Sequence, residues 1–168
     1  MAVVAGAEAG RRVASRATIL QLRAPDLTAR EVELELIELV ATSPVPVLVS
    51  SRCDVALACG AAGVNLPERD IAVRDARALL GDRLIGRSVH STEAARQAEH
   101  DGADFVIFGP IWPSVTHRDG DPVGIEALAA VVHAVRIPVL AIGGVTEEHV
   151  AEIHRAGAAG YAAITMFE

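Results

Sequence analysis

Gly143 and Gly144 stand side by side at the end of an apolar run, Pro138–Ile142, and Thr146-Glu147-Glu148 follows them to open a helical stripe through Val150 and Ile153. Glycine amides at the carboxyl end of a strand can approach an anion closely, because no Cβ stands in the way. One helix later, Gly160–Thr165 reads as the last strand and ends in a hydroxyl. In eight-stranded β/α barrels the loops after the last two strands commonly hold a phosphate. Gly143, Gly144 and Thr165 are therefore candidates for binding one, although a plain strand-to-helix turn would use the same glycine pair. Arg23 ends an earlier apolar run, Thr18–Leu22, and is a candidate for anion binding or for a surface ion pair. Histidine exchanges protons near neutral pH. His90 and His117 fall in loops beyond strands, with Ser88 just before His90 and Thr116 just before His117, whereas His100, His133, His149 and His154 fall on helices and are expected at the surface. Trp112 is expected to wall the pocket.

The composition excludes several classes. All fifteen basic residues are arginine, so neither a Schiff base nor a phosphate-cradling lysine is available. The net charge of −7 with no basic cluster argues against nucleic acid. Hydrophobic residues make up 51% of the 168, which is enough for one packed domain over residues 1–168. No apolar run approaches the roughly 20 residues of a membrane span, and no export signal opens the sequence, so a cytoplasmic protein is expected. Cys53 and Cys59 lack the spacing partners of a zinc site or a disulfide framework and read as small core residues.

These groups must be positioned by an alternation of short apolar strands and helices. Strands are expected at Thr18–Leu22, Val45–Ser50, Gly63–Leu66, Leu84–Ser88, Phe105–Phe108, Val139–Ile142 and Gly160–Thr165. Helices fall between them, one opened by a Thr28/Glu31 capping box and another capped by Ser91 or Thr92. Near-continuous apolar strands separated by helices imply a parallel sheet covered on both faces. The recurring helix–Gly-Ala–strand unit, and the absence of Gly-x-Gly-x-x-Gly after the first strand, favour a (β/α)8 TIM barrel over an open doubly wound sheet. Only seven strands can be counted, because Ala2–Arg16 reads as a helix unless Ala2–Ala5 supplies a stub. The final helix is likewise missing or vestigial. A shortened barrel would leave edge strands unpaired, and a homo-oligomer is expected to cover them.

The motifs Gln21-Leu22-Arg23, Gly63-Val64-Asn65-Leu66, Ile85-Gly86-Arg87-Ser88-Val89-His90-Ser91, Gly109-Pro110-Ile111-Trp112-Pro113 and Ala141-Ile142-Gly143-Gly144-Val145-Thr146 together resemble the thiamine phosphate synthase family. That family also contains the TenI-type thiazole tautomerases. The resemblance implies a barrel that binds a thiazole phosphate, with Gly143, Gly144, Ile164 and Thr165 at the phosphate-grip positions. A synthase would further join a hydroxymethylpyrimidine diphosphate to the thiazole phosphate, releasing pyrophosphate with the help of Mg2+. The matching positions Arg23, Asp70, Ser88 and Thr116 keep the family's residues, and Asp70 matches a metal carboxylate. Ser50 and Ser51, however, stand where the family has Asn-Asp, Pro25 and His117 replace lysines, and Pro67-Glu68 replaces Gly-Gln. A hydroxyl is a poor substitute for a carboxylate on a hard cation. These losses favour a metal-independent, TenI-like tautomerase needing no cofactor. Pro110 occupies the usual histidine position there, so His117, then His90, with Ser88, become the catalytic candidates. Synthase activity and a non-catalytic, phosphate-binding role are the alternatives.

Overall fold

The computed structural model describes residues 1–113 and 121–167. Eight strands run parallel: β1 (Ala2–Val4), β2 (Leu20–Leu22), β3 (Val47–Ser50), β4 (Gly63–Leu66), β5 (Leu84–Val89), β6 (Phe105–Phe108), β7 (Val139–Ile142) and β8 (Gly160–Ala162). Each pairs with the next in sequence order. The register sets Gln21 beside Leu48, Asn65 beside Gly86 and Ile107 beside Leu140. Seven helices lie between the strands: α1 (Ala7–Val13), α2 (Ala29–Thr42), α3 (Cys53–Ala58), α4 (Val73–Leu80), α5 (Thr92–His100), α6 (Gly124–Ala134) and α7 (Val150–Arg155). The fold is the expected TIM barrel.

The amino-terminal segment differs from expectation. Ala2–Val4 is a buried strand paired with β2, not the start of a helix, and α1 begins only after Gly6. Three residues inside the apolar opening Met1–Ala5 carry no period that separates strand from helix. β1 also closes the cylinder. Ala2 bridges to Ala163, the Val3 N–H donates to the Ala163 carbonyl at 2.9 Å, and the Ala163 N–H donates to the Met1 carbonyl at 3.1 Å. The unpaired edges that suggested a covering partner are thus paired within the chain. After β8 the backbone turns through a single 3-10 turn, Thr165–Phe167.

Two apolar layers hold the barrel. The outer one lies between helices and strands and takes Leu36, Leu39, Val64, Ile85, Leu128 and Ile153. The inner one fills the bore with Val3, Leu48, Phe105, Ile107 and Ala162. The Phe105 ring occupies space that a Cβ on Gly86 would take, since that atom would fall 2.3 Å from Phe105 Cζ. Capping follows the sequence signals. Glu31 N–H donates to Thr28 Oγ1 at 3.4 Å while Thr28 N–H donates to Glu31 Oε2 at 2.7 Å, and Ala94 N–H donates to Ser91 Oγ at 3.1 Å. At the amino-terminal end of the strands, Arg77 donates to Asp104 Oδ2 at 2.6 Å and to the Gly102 carbonyl at 2.8 Å, and Asp104 Oδ2 also accepts from Ile85 N–H at 2.7 Å. Those charges serve the frame. The carboxyl-terminal end is left for chemistry, as in barrels generally.

Candidate active site

A cavity of about 180 Å³ opens at the carboxyl-terminal ends of the strands. Alternation along each strand sends every second side chain into the bore, and the uppermost inward positions form two unlike halves. Gln21, Ser50, Asn65 and Ser88, on β2 to β5, make a polar half. Val3, Ile107, Ile142 and Ile164 make an apolar half. Gln21 Nε2 donates to Ser50 Oγ at 2.7 Å, and Asn65 Nδ2 donates to Ser88 Oγ at 3.0 Å. Both amides are almost wholly buried, at 3% and 4% exposure. Their carbonyl oxygens, Gln21 Oε1 and Asn65 Oδ1, have no hydrogen-bond partner. A buried acceptor left unpaired costs about 1–3 kcal/mol, and the Ser50 and Ser88 hydroxyls beside these amides are the nearest groups able to offset it.

The rim carries charge. Arg23 borders the cavity, as does Glu68, whose carboxylate is hydrogen-bonded to His90 Nδ1. The loop bearing Glu68 is clasped from behind by Arg87, which donates to the Glu68 carbonyl at 2.6 Å and the Ile71 carbonyl at 2.8 Å. Burial pushes the Arg87 pKa down, and Asp70 and Glu68 oppose that shift. Asp70 itself lies on this loop but not on the cavity wall, and its Oδ1 accepts from Ile71 N–H at 2.7 Å. The adjoining turn after β3 holds Ser51 at φ 66°, with its N–H donating to the Asn65 carbonyl at 3.0 Å. Burial raises the Cys53 thiol, which is free, in keeping with a packing role.

Just beyond Ser51, Arg52 donates to both Asp54 oxygens, at 2.9 and 2.7 Å, and holds that carboxyl at about 2. A carboxylate whose folded pKa is depressed stabilises the fold above its ordinary value near ~4 and loses that contribution as pH falls through the folded value. Because both side chains are substantially exposed, at 39% and 68%, the pair is worth at most about 1 kcal/mol. Asp54→Asn should therefore lower the urea midpoint at pH 7, and the difference from wild type should vanish by about pH 2. A difference that persisted in acid would refute the assignment.

The glycine pair continues β7. Gly143 and Gly144 adopt φ of 93° and 64°. The segment after β6 lies directly on them: Ile111 N–H donates to the Ile142 carbonyl at 2.9 Å and Trp112 N–H to the Gly143 carbonyl at 3.1 Å. Trp112 stacks on His149 and is not on the cavity wall, and His149 is half-buried instead of at the surface.

The structure thus gathers Arg23, Ser88, His90 and Ile164 around one cavity, and sets Gly143 and Gly144 in the turn that follows Ile142 of its wall. Thr116 and His117 lie outside the described residues, as does the side chain of Thr165. Sequence reasoning passed over Gln21, Ser50, Asn65 and Glu68 as lining residues. A usable signal was present for two of them: Gln21 and Asn65 are lone polar residues within otherwise apolar strands.

The family model for thiamine monophosphate synthase matches residues 6–167. The chain belongs to that family. A thiamine-phosphate synthase of Chloroflexus aurantiacus is 40% identical over 89% of the chain and 71% of the relative. A putative thiamine-phosphate synthase of Geobacter sulfurreducens is 42% identical over 98% and 78%. Among solved structures, the thiamine phosphate pyrophosphorylase of Pyrococcus furiosus superposes with a TM-score of 0.86 at 31% identity, over 98% of this chain and 83% of that one. The Thermotoga maritima FabK structure shares the fold, with a TM-score of 0.81 at 17% identity. Both curated relatives bear the name of the synthase, the alternative to the tautomerase expected from the sequence. No helix of the described residues is long and apolar enough to cross a membrane.

Proposed function

We propose that the chain is a thiamine phosphate synthase, joining an aminopyrimidine methyl diphosphate to a thiazole phosphate with release of pyrophosphate. The observation that carries this reading is the polar wall of the cavity, where the Gln21 and Asn65 amides sit beside the Ser50 and Ser88 hydroxyls. Such a wall suits the exocyclic amine of an aminopyrimidine, a group that a thiazole carboxylate phosphate lacks. In the reaction the carbon–oxygen bond to pyrophosphate breaks, its electron pair leaves on the phosphate oxygen, and the thiazole nitrogen lone pair forms the new carbon–nitrogen bond. The polar half of the cavity orients the pyrimidine. The apolar half excludes water that would otherwise capture the activated carbon. Arg23 at the rim faces the charge developing on the leaving group, and the glycine turn after β7 grips the thiazole phosphate.

The donor chemistry at the rim fits magnesium, but only together with substrate oxygens. Asp70 and Glu68 are hard carboxylate donors, Ser50 and Ser51 neutral hydroxyls, and no group of three metal-ligating side chains converges among the described residues. Mg2+ commonly binds through one or two carboxylates plus substrate phosphates. Glu68 on the cavity wall and Asp70, two residues on and off the wall, are the carboxylates that would hold it, and the ion when bound supplies charge neutralisation to the departing pyrophosphate.

One observation favours the tautomerase as a second reading: the His90–Glu68 pair is a ready proton-exchanging couple on the same rim. A single experiment separates the two. Incubation with both substrates and Mg2+ should release pyrophosphate, and Asp70→Ala should slow that release about 100-fold. Metal-independent isomerisation of the thiazole carboxylate phosphate, abolished in His90→Ala and accompanied by no pyrophosphate release, would select the second reading. Binding of the thiazole phosphate without turnover in either assay would reject both.

A further inference from the structure

His149 is bound into the phosphate turn by contacts that the chemistry above does not use. Its ring stacks on the indole of Trp112, with centroids 3.8 Å apart and planes 4° from parallel. Its Nδ1 accepts from Thr146 N–H at 3.3 Å and lies 3.1 Å from the Gly144 carbonyl oxygen. Trp112 belongs to the segment after β6 and His149 to the turn before α7, so the stack joins the loops of two neighbouring strands. Between them lies the glycine pair. A Cβ on Gly144 would fall 2.7 Å from Trp112 Cβ and 2.5 Å from the Pro113 carbonyl, and one on Gly143 would fall 2.5 Å from Pro110 Cβ. The turn has no slack on that side. Its two left-handed residues could relax only if the Pro110–Pro113 segment lifted away.

We infer that His149 is a positioning residue for the phosphate grip: stacked on Trp112, it clamps the loop after β6 against Gly143 and Gly144 and fixes the direction of their amides before the ester arrives. This rests on the phosphate reading of the turn. The clamp reduces the cost of ordering the turn on binding, so its loss acts on affinity and leaves the bond-making step alone. The flat overlap with the indole carries the effect, and the Nδ1 contact with Thr146 only caps the short turn Glu147–His149.

Two substitutions in the full chain separate these contacts. His149→Phe keeps a flat ring and loses the nitrogen, whereas His149→Asn keeps an acceptor and loses the ring. Trp112 is the protein's one tryptophan, so its emission reports the stack directly. His149→Asn should shift that emission to the red and raise KM for the thiazole phosphate about tenfold with kcat within twofold, while His149→Phe should retain both values. Inorganic phosphate should move the emission of the wild type and of His149→Phe at concentrations about tenfold lower than it does for His149→Asn. The reverse ranking, with His149→Phe impaired and His149→Asn normal, would reduce His149 to a cap and overturn the inference. A red shift in His149→Asn with unchanged KM would overturn it as well and leave the phosphate reading standing. If Gly144→Ala bound the thiazole phosphate as tightly as wild type, the phosphate reading would fail and this inference with it. Should His149→Asn fail to fold, Trp112→Leu removes the same stack from its other side and should raise KM about tenfold with kcat within twofold, and an unchanged KM there would overturn the inference.

Discussion

Gly144→Ala is expected to raise KM for the thiazole phosphate about 100-fold and to lower the melting temperature by roughly 10 °C. Two causes add. The residue sits at φ 64°, where an L side chain costs about 1–2 kcal/mol. The new methyl would also fall within 2.7 Å of both Trp112 and the Pro113 carbonyl, and overpacking of this kind costs about 1–3 kcal/mol. At roughly 3 kcal/mol combined, a domain of this size shifts by several degrees. The binding loss is larger than the stability loss alone explains, because a displacement near 1 Å in a positioning group can cost about a factor of 100. Steady-state kinetics with the ester varied, beside a thermal melt, read both quantities. A destabilised protein that still bound the ester normally would leave Gly144 as a tight turn with no part in recognition.

Gln21→Met should do the opposite to stability while sharply reducing turnover. Methionine nearly matches the volume of glutamine and removes the unpartnered Oε1 together with the bond to Ser50. Relieving a buried, unpaired acceptor offsets the lost hydrogen bond, and the melting temperature should stay level or rise by the equivalent of up to ~1 kcal/mol. The substrate amine then meets a thioether where an acceptor stood, which costs about 1–3 kcal/mol and therefore about 10- to 100-fold in kcat/KM for the pyrimidine diphosphate. Asn65→Leu, across the same half of the bore, should behave alike. A variant that was both less stable and fully active would show that the amide serves the fold alone.

The barrel was legible because its seven strands after β1 lie in apolar runs bounded by glycine, proline or capping residues; Gly63–Leu66, Phe105–Phe108 and Val139–Ile142 fall where expected. β1 was not legible: three residues within an apolar opening have no period, and only the partners β2 and Ala163 define them as a strand. Strand ends were overrun for a similar reason. Thr18–Leu22 narrows to Leu20–Leu22, since the β-branched Thr18 and Ile19 extend the strand-like run ahead of the first paired residue. At the site, Arg23 and His90 could be placed because they follow strands, and Ser88 because it was expected to end one. The polar half-ring was missed because attention to loops overlooks inward residues one step earlier, where Gln21 and Asn65 interrupt apolar strands. The partnership of Trp112 with His149 joins positions 37 apart in sequence, and no local spacing announces it.

The division of the bore into a hydrogen-bonding flank and a hydrocarbon flank has a geometrical corollary. Under the proposed synthase reading, a planar heterocycle lowered into it would be held one way round, since turning it over would press its nitrogens against Ile107 and Ile142. Which atom of an incoming ring faces the electrophile would then be decided by the barrel wall before any bond is made. Regiochemistry in this protein would be a property of strand order, inherited from the sheet and independent of the leaving group.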